Sequence, residues 1–247
     1  MSMKQLSENN PISIDIKHLT KQYGQQKALD DITLSIHERE VVGLLGPNGA
    51  GKSTMMKIIT CFIPATKGEV KVCNYDVNED SMKIRSLIGY LPEQNPLYYE
   101  LYVRENLEFI AGIHGIKDKQ RKELVEEIIE KVGLTREVRK KIGALSKGYK
   151  QRVGIAQALI HNPKILILDE PTTGLDPNQL VEIRSLIKEL GKNKTVILST
   201  HIMQEVEAVC SRAVIINNGK LVADDSVKAL AQGESLEKKF REITSTL

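Results

Sequence analysis

The sequence lacks long runs of residues of one charge sign and long apolar runs. Lysine and arginine (35) nearly balance aspartate and glutamate (32), and no block of one sign stands out. A dedicated nucleic-acid surface is therefore not expected. No apolar run approaches the roughly 20 residues of a membrane-spanning helix, and Met1 to Asn10 has no apolar stretch typical of a signal peptide. We expect a globular protein that does not itself cross a membrane.

Cysteine is scarce as well. Cys61, Cys73 and Cys210 are odd in number and lack the close spacing of metal ligands. The simplest fit is a reduced, cytosolic compartment in which they are small core residues. Internal repeats and low-complexity segments are also missing. A chain of 247 residues without these features fits one domain with a substantial core.

Two kinds of strand are visible in the first part of the chain. Ile12–Ile16 and Ile32–Ile36 alternate apolar and polar residues, which predicts half-buried strands of an antiparallel sheet. Val41–Leu45 is apolar throughout, which is typical of a parallel sheet covered on both faces. Helix is predicted for 52–59, and the charged, periodic stretch from Ser81 to His161 predicts a helical lobe.

Strands and helices alternate after Pro163. This alternation is typical of a parallel sheet flanked by helices, and Asn218-Gly219 predicts a hairpin. We expect an α/β fold with a mainly parallel core, an N-terminal antiparallel β lobe and an inserted helical lobe. The predicted strands are 165–168, 195–199 and 212–217, and the predicted helices are 179–190 and 202–210. The expected divisions are a polar tail at 1–11, the main domain at 12–225 with the helical lobe at about 81–161, and a helical tail at 226–247.

A phosphate-binding loop lies between the strand at 41–45 and the helix at 52–59. Its glycines allow backbone N–H groups to wrap a phosphate while the helix presents its positive end. Lys52 is expected to reach the β- and γ-phosphates, Ser53 to bind Mg²⁺, and Thr54 to support the turn. The loop predicts binding of ATP or GTP. It consists of Gly46, Pro47, Asn48, Gly49, Ala50, Gly51, Lys52 and Ser53.

Asp169, Glu170 and His201 follow predicted buried strands. Open parallel sheets place ligand groups at the carboxyl ends of their strands. Asp169 is expected to hold Mg²⁺ through water, and Glu170 to polarise the attacking water. The neutral imidazole of His201 could hydrogen-bond the γ-phosphate. Taken alone, the two acids could instead cap the next helix, and a lone histidine could be structural.

The order of motifs resembles the ATP-binding subunits of ABC transporters over nearly the whole chain. The resemblance implies a P-loop NTPase fold and a head-to-tail dimer. In that dimer Ser146 and Gly148, at a helix N-terminus, complete the ATP site of the other copy. After the P-loop and the helical stretch, the motifs are the signature segment Leu145-Ser146-Lys147-Gly148-Tyr149, the strand ending in Asp169-Glu170, Thr173-Gly174-Leu175-Asp176, and His201.

Other positions carry family roles only by this resemblance. Asp176 resembles the acid that crosses the dimer seam. Tyr23 stands where the family places an adenine-stacking ring, although it could also be a core tyrosine. The family has a glutamine that links Mg²⁺ to the membrane partner, and this chain has no exact counterpart. Counted from Tyr90, the position of that glutamine is occupied by Glu93, and Gln94 is the residue after it. Either side chain offers an oxygen to the ion shell, so both stay candidates.

The signature segment also departs from the commonest form, Leu-Ser-Gly-Gly-Gln. Lys147 and Tyr149 replace its third and fifth residues. Lys147 could add charge to the phosphate contact, but we expect it to face solvent, as exposed lysines ordinarily do.

The resemblance implies an ATPase, with ATP and Mg²⁺, that drives a separate membrane permease from the inner face of the cell membrane. The segments 88–93, 145–152 and 174–179 are similar to single-cassette ATPases of the ABC-2 export type, in particular the gliding-motility-associated ATPase. Tyr98, Tyr99 and Tyr102 form the candidate docking surface for the permease, or else belong to the lobe interior. The transported substrate is set by the permease.

Two other functions are weighed against the transporter subunit. A soluble relative that acts on ribosomes or nucleic acid would have two cassettes or long coiled coils, whereas this chain has one P-loop and no sustained heptads. A small-molecule kinase would leave the signature segment and His201 without a purpose. The transporter subunit is the preferred interpretation.

Overall fold

The computed structural model describes residues 10–231 and 233–245. Most of the expected N-terminal polar tail, residues 1–9, lies outside this part, as do 232 and 246–247 of the expected C-terminal tail. Within it, the strands form a four-stranded and a six-stranded sheet. None of the helices in these described ranges is long and apolar enough to span a membrane.

The smaller sheet is antiparallel and comes from the first part of the chain. It consists of β1 (Ile12–Tyr23), β2 (Gln26–His37), β4 (Lys67–Val72) and β5 (Tyr75–Asp76), in the order β2-β1-β4-β5. β1 continues well past the predicted alternation at 12–16. The pairing register shifts between Ile16 and Leu19, where His18 takes a φ of 52°. Such a bulge breaks the period of two, which is why the sequence pattern did not show the full strand.

The larger sheet is the core of the protein. It contains β3 (Val41–Leu45), β6 (Ile88–Leu91), β7 (Ile165–Asp169), β8 (Thr195–Ser199), β9 (Arg212–Asn217) and β10 (Lys220–Ser226), in the order β10-β9-β3-β8-β7-β6. The pairs within β9-β3-β8-β7-β6 are parallel, and β10 pairs antiparallel with β9. The positive φ angles of Asn218 (48°) and Gly219 (75°) form the predicted hairpin turn. The α/β class is thereby confirmed.

The helices flank the large sheet. They are α1 (Lys52–Ile59), α2 (Ser81–Leu87), α3 (Val103–Ile113), α4 (Asp118–Lys131), α5 (Lys147–Leu159), α6 (Pro177–Gly191), α7 (Met203–Val209), α8 (Val227–Ala231) and α9 (Leu236–Ser245). The stretch 81–161, expected to be helical, also contains strand β6 of the core sheet. A short apolar run such as 88–91 does not distinguish strand from helix by its period. Helices α3 to α5 follow this strand.

The two faces of β7 show how the core is divided. Leu166 and Leu168 pack in a cluster with helices α3 to α6, while Ile165 and Ile167 pack with α1 and the antiparallel sheet. Successive side chains of a strand point to opposite faces, so the sheet separates two apolar layers. The three cysteines are free and partly buried, and they pack at the margins of these layers.

Candidate nucleotide-binding site

The P-loop (Gly46–Ser53) runs from the end of β3 into α1. Gly49 and Gly51 have φ angles of 81° and 111°, which side chains disfavour, and a Cβ on Gly51 would lie 2.5 Å from the Ala28 carbonyl oxygen. Ala50 N donates to Pro47 O at 3.1 Å. The loop is therefore a tight turn that ends at the N-terminus of a helix, where anions bind.

Lys52 lies inside this turn. Its side chain is buried, and the ammonium group donates to the carbonyl oxygens of Gly46 (2.6 Å) and Pro47 (3.2 Å). Burial lowers the pKa of Lys52, while the negative charges of Glu170, Asp169 and Glu93 oppose that decrease. The lysine predicted to bind phosphate thus lies at the loop, close to three carboxylates.

Ser53 and Asp169 come together from different elements. Ser53 is in the first turn of α1, Asp169 ends β7, and the serine hydroxyl donates to Asp169 Oδ2 at 3.4 Å. Asp169 is only 4% exposed, and burial raises its pKa; the charges of Glu170 and Glu93 add to this effect, while the hydrogen bond from Ser53 opposes it. A hydroxyl and a carboxylate are oxygen donors of the kind that Mg²⁺ takes, so these residues fit the expected ion.

Glu170 and His201 meet because β7 and β8 are neighbours and both end at the same edge of the sheet. Glu170 Oε1 lies 2.9 Å from His201 Nδ1, and Thr173 donates its hydroxyl to Glu170 Oε2 at 3.1 Å. The backbone of Glu170 has a φ of 50°, and its N–H donates to Ser199 O at 2.8 Å. A strained backbone, with both carboxylate oxygens in contact with neighbouring side chains, is typical of a functional position.

The metal-linking candidates Glu93 and Gln94 are both exposed in the loop after β6. Glu93 lies close enough for its charge to act on Lys52 and Asp169. The charges of Asp169 and Glu93 add to burial in raising the pKa of Tyr90, at the end of the same strand, to about 12. These effects place Glu93 near the P-loop.

The signature segment forms a second group of residues. Ser146 is the N-cap of α5 and accepts from Tyr149 N at 3.4 Å, as expected of a helix N-terminus. The exposed Lys147 has its ammonium group against Gly174, and a Cβ on Gly148 would meet the Gln179 amide at 2.5 Å. Leu145 is buried.

Asp176 caps the next helix beside this group. Its carboxylate accepts from the backbone N–H groups of Asn178 and Gln179, each at 3.0 Å. Among the hydrogen bonds of the described residues, none joins the signature segment to the P-loop. The predicted site residues thus fall into two sets.

Tyr23 is the last residue of β1. The residue is 51% exposed, and Lys21 Nζ lies 5.1 Å from the ring centroid. This exposure does not fit the alternative of a core tyrosine, and it leaves a ring face accessible for stacking.

Sequence reasoning missed Glu205, a buried acid on α7 next to the site. It is 1% exposed and accepts hydrogen bonds from the hydroxyls of Thr172 and Thr200. The sequence signal that could have indicated its burial is its place beside Val206 in a short helix, where both residues are buried. That signal does not identify its partners.

Known proteins are similar to this chain in sequence and in fold. Residues 29–173 match the family model of the ABC transporter. The bacitracin transport ATP-binding protein BcrA of Bacillus licheniformis is 40% identical over 208 residues, which is 83% of this chain and 67% of that protein.

Two solved structures extend the likeness to the fold. A solved ATP-binding subunit of an ABC transporter has a TM-score of 0.83 at 30% identity and covers 93% of this chain and 98% of its own. A dimeric ATP-binding cassette in a post-hydrolysis state, bound to ADP and phosphate, has a TM-score of 0.79 at 32% identity, over 87% and 98% of the two chains. With its P-loop and acidic strand end, this chain belongs to the ABC transporter family, as an ATP-binding subunit that hydrolyses ATP.

Proposed function

We propose that two copies of this chain form a head-to-tail dimer around ATP and that hydrolysis drives export through a separate permease. The observation that carries this proposal is the separation of the site into two sets. The P-loop, Asp169, Glu170 and His201 meet at one edge of the sheet. The signature segment starts a different helix, without a hydrogen bond to that set among the described residues. A second copy would bring its signature helix N-terminus to the phosphates.

The catalytic roles follow from position. Lys52 and the P-loop N–H groups neutralise the phosphates, Tyr23 stacks on the base, and Glu170 accepts a hydrogen bond from the attacking water. His201 lies against Glu170 through Nδ1 and positions it, and the other ring nitrogen of His201 is our candidate for the hydrogen bond to the γ-phosphate. The short distance between Glu170 and His201 supports this pairing.

Mg²⁺ would be held by Ser53 and by Asp169, the latter through water. Glu93 and Gln94 both stay candidates for the link to the metal, and the charge of Glu93 acts on Lys52 and Asp169. When bound, the ion neutralises charge on the β- and γ-phosphates.

The permease would dock on the exposed rings that follow Glu93 and Gln94. Tyr98, Tyr99 and Tyr102 are 51%, 52% and 42% exposed, which favours a surface over the lobe interior. Docking there would hold the subunit at the inner face of the membrane, with no nucleic acid as partner. We keep 12–225 as the ATPase domain, 81–161 as the segment with the helical lobe, and 226–247 as an added tail.

The transported compound belongs to the permease. The similarity to the bacitracin transport ATP-binding protein supports movement of a compound across a membrane. The ABC-2 export type and the similarity to the gliding-motility-associated ATPase are part of this proposal and come from the segments quoted above.

The test is purification of the tagged chain from membranes with identification of the proteins that elute with it. An integral membrane permease is expected, whereas recovery with ribosomes would contradict the proposal. Tyr98→Ala with Tyr99→Ala should release the permease while ATP binding is kept. Tyr23→Ala is the matched control, because it removes an exposed tyrosine and should weaken ATP binding without releasing the permease.

A further inference from the structure

Glu205 is a buried acid that none of the proposed roles uses. Its side chain is 1% exposed, and a carboxylate removed from water requires hydrogen bonds. Thr172 donates its hydroxyl to Oε1, and Thr200 donates its hydroxyl to Oε2 at 3.0 Å. Among residues 10–231 and 233–245, these hydroxyls are the hydrogen-bond donors found for the carboxylate.

The two threonines belong to the loops that carry Glu170 and His201. Thr172 lies two residues after Glu170, and Thr200 immediately precedes His201. Both are buried, at 3% and 0% exposed. Thr200 Oγ1 also accepts from Ile202 N at 3.1 Å, which fixes the turn around His201.

One carboxylate on α7 therefore links the ends of β7 and β8. The His201 side chain is 55% exposed, so little packing around it holds it in place. Its contact with Glu170 therefore depends on the relative position of the two loops that carry these residues. A buried, hydrogen-bonded link below them would limit their movement. We infer that Glu205 is a positioning residue for ATP hydrolysis. Through Thr172 and Thr200, it fixes the positions of Glu170 and His201 relative to each other.

The inference is tested by removing each hydroxyl while keeping the side-chain shape. Thr172→Val and Thr200→Val should each lower kcat for ATP hydrolysis about tenfold, since each removes one hydrogen bond to a buried charge. KM for ATP should stay within about twofold because neither hydroxyl belongs to the P-loop. Thr172→Ser and Thr200→Ser keep the hydroxyl and should restore kcat.

Thr195→Val is the matched control. Thr195 is buried at the opposite end of β8, and its hydroxyl is 3.0 Å from both Ser13 Oγ and Arg39 N. This variant should lower the melting temperature and leave kcat unchanged at a temperature well below melting. If Thr172→Val and Thr200→Val behave in the same way, the link is only structural and the inference is wrong.

A double-mutant cycle separates positioning from a general loss of activity. In a His201→Ala background, Thr200→Val should lower kcat by less than about twofold, because the group that it positions is gone. A full tenfold loss in that background would overturn the inference. Should a valine variant not fold, Glu205→Gln keeps the volume but loses one accepting oxygen, and it must also lower kcat at constant KM.

This inference rests on the roles proposed for Glu170 and His201. Those roles fail if Glu170→Gln and His201→Ala hydrolyse ATP at the wild-type rate. The inference alone fails if these two variants are slow while the threonine variants are not.

Discussion

The stacked histidines at the ends of α3 and α5 predict that stability falls in mild acid. His161 Nε2 donates to Ile88 O at 3.0 Å, and its ring stacks on His114 with centroids 4.1 Å apart. Among the side chains described, His161 Nδ1 is one of the buried polar atoms without a hydrogen bond. Burial, with repulsion from His114 and Lys194, lowers the pKa of His161 from 6.5 to about 4, against the opposing hydrogen bond to Ile88.

The sign and size of the effect follow from this pKa. Between pH 6.5 and about 4 the unfolded chain binds a proton at His161 that the folded chain does not, so the free energy of unfolding decreases as the pH falls. The full difference corresponds to about 3 kcal/mol. Because the ring is only partly buried, we reduce this to about 1.5 kcal/mol for solvent screening.

The assay is urea unfolding at several pH values between about 7 and 4. His161→Phe keeps a ring for stacking but does not titrate, so its unfolding free energy should decrease by about 1.5 kcal/mol less than that of the wild type over this range. His114→Phe provides the comparison for the partner ring. Parallel curves for the wild type and His161→Phe would refute this account of the histidine pair.

Two further substitutions test the P-loop and the partly buried ion pairs of Arg212 with Glu40 and Asp224. Lys52→Ala should abolish ATP binding measured by calorimetry, whereas Lys57→Ala, on the same helix, should not; normal affinity in Lys52→Ala would remove the lysine from its role. Arg212 donates to Glu40 Oε2 at 3.1 Å and to Asp224 at 2.6 and 2.7 Å. Arg212→Met leaves both acids without this partner and should lower the free energy of unfolding, measured in urea, by about 3 kcal/mol. A change below about 1 kcal/mol would show that these ion pairs contribute little to stability.

Short sequence patterns predicted those helices, strands and turns whose position depends on neighbouring residues alone. The helix expected at 52–59 coincides with α1, because the P-loop glycines fix where it begins. The apolar run at 41–45 and the Asn218-Gly219 turn lie where they were expected. Each of these signals is complete within a few residues of sequence.

Features that depend on distant parts of the chain were not predictable in the same way. Strand β6 is defined by its pairing with β7, 77 positions away from Ile88 to Ile165, and its four residues have no distinctive period. Glu205 reads as an ordinary helix acid until the fold brings Thr172 and Thr200 to it. Likewise, the effect of the Glu93 charge on Lys52 depends on the fold, because the two residues are far apart in the sequence.

The most direct test of the proposed site is ATP hydrolysis by Glu170→Gln, measured with ATP-dependent dimerisation by light scattering. The variant keeps the side-chain shape but loses the carboxylate that we propose accepts a hydrogen bond from the attacking water. Hydrolysis should fall at least about a hundredfold, as expected for loss of such a group, while the variant binds ATP and accumulates as a closed dimer. Hydrolysis at the wild-type rate would contradict the role of Glu170 and the site built around it.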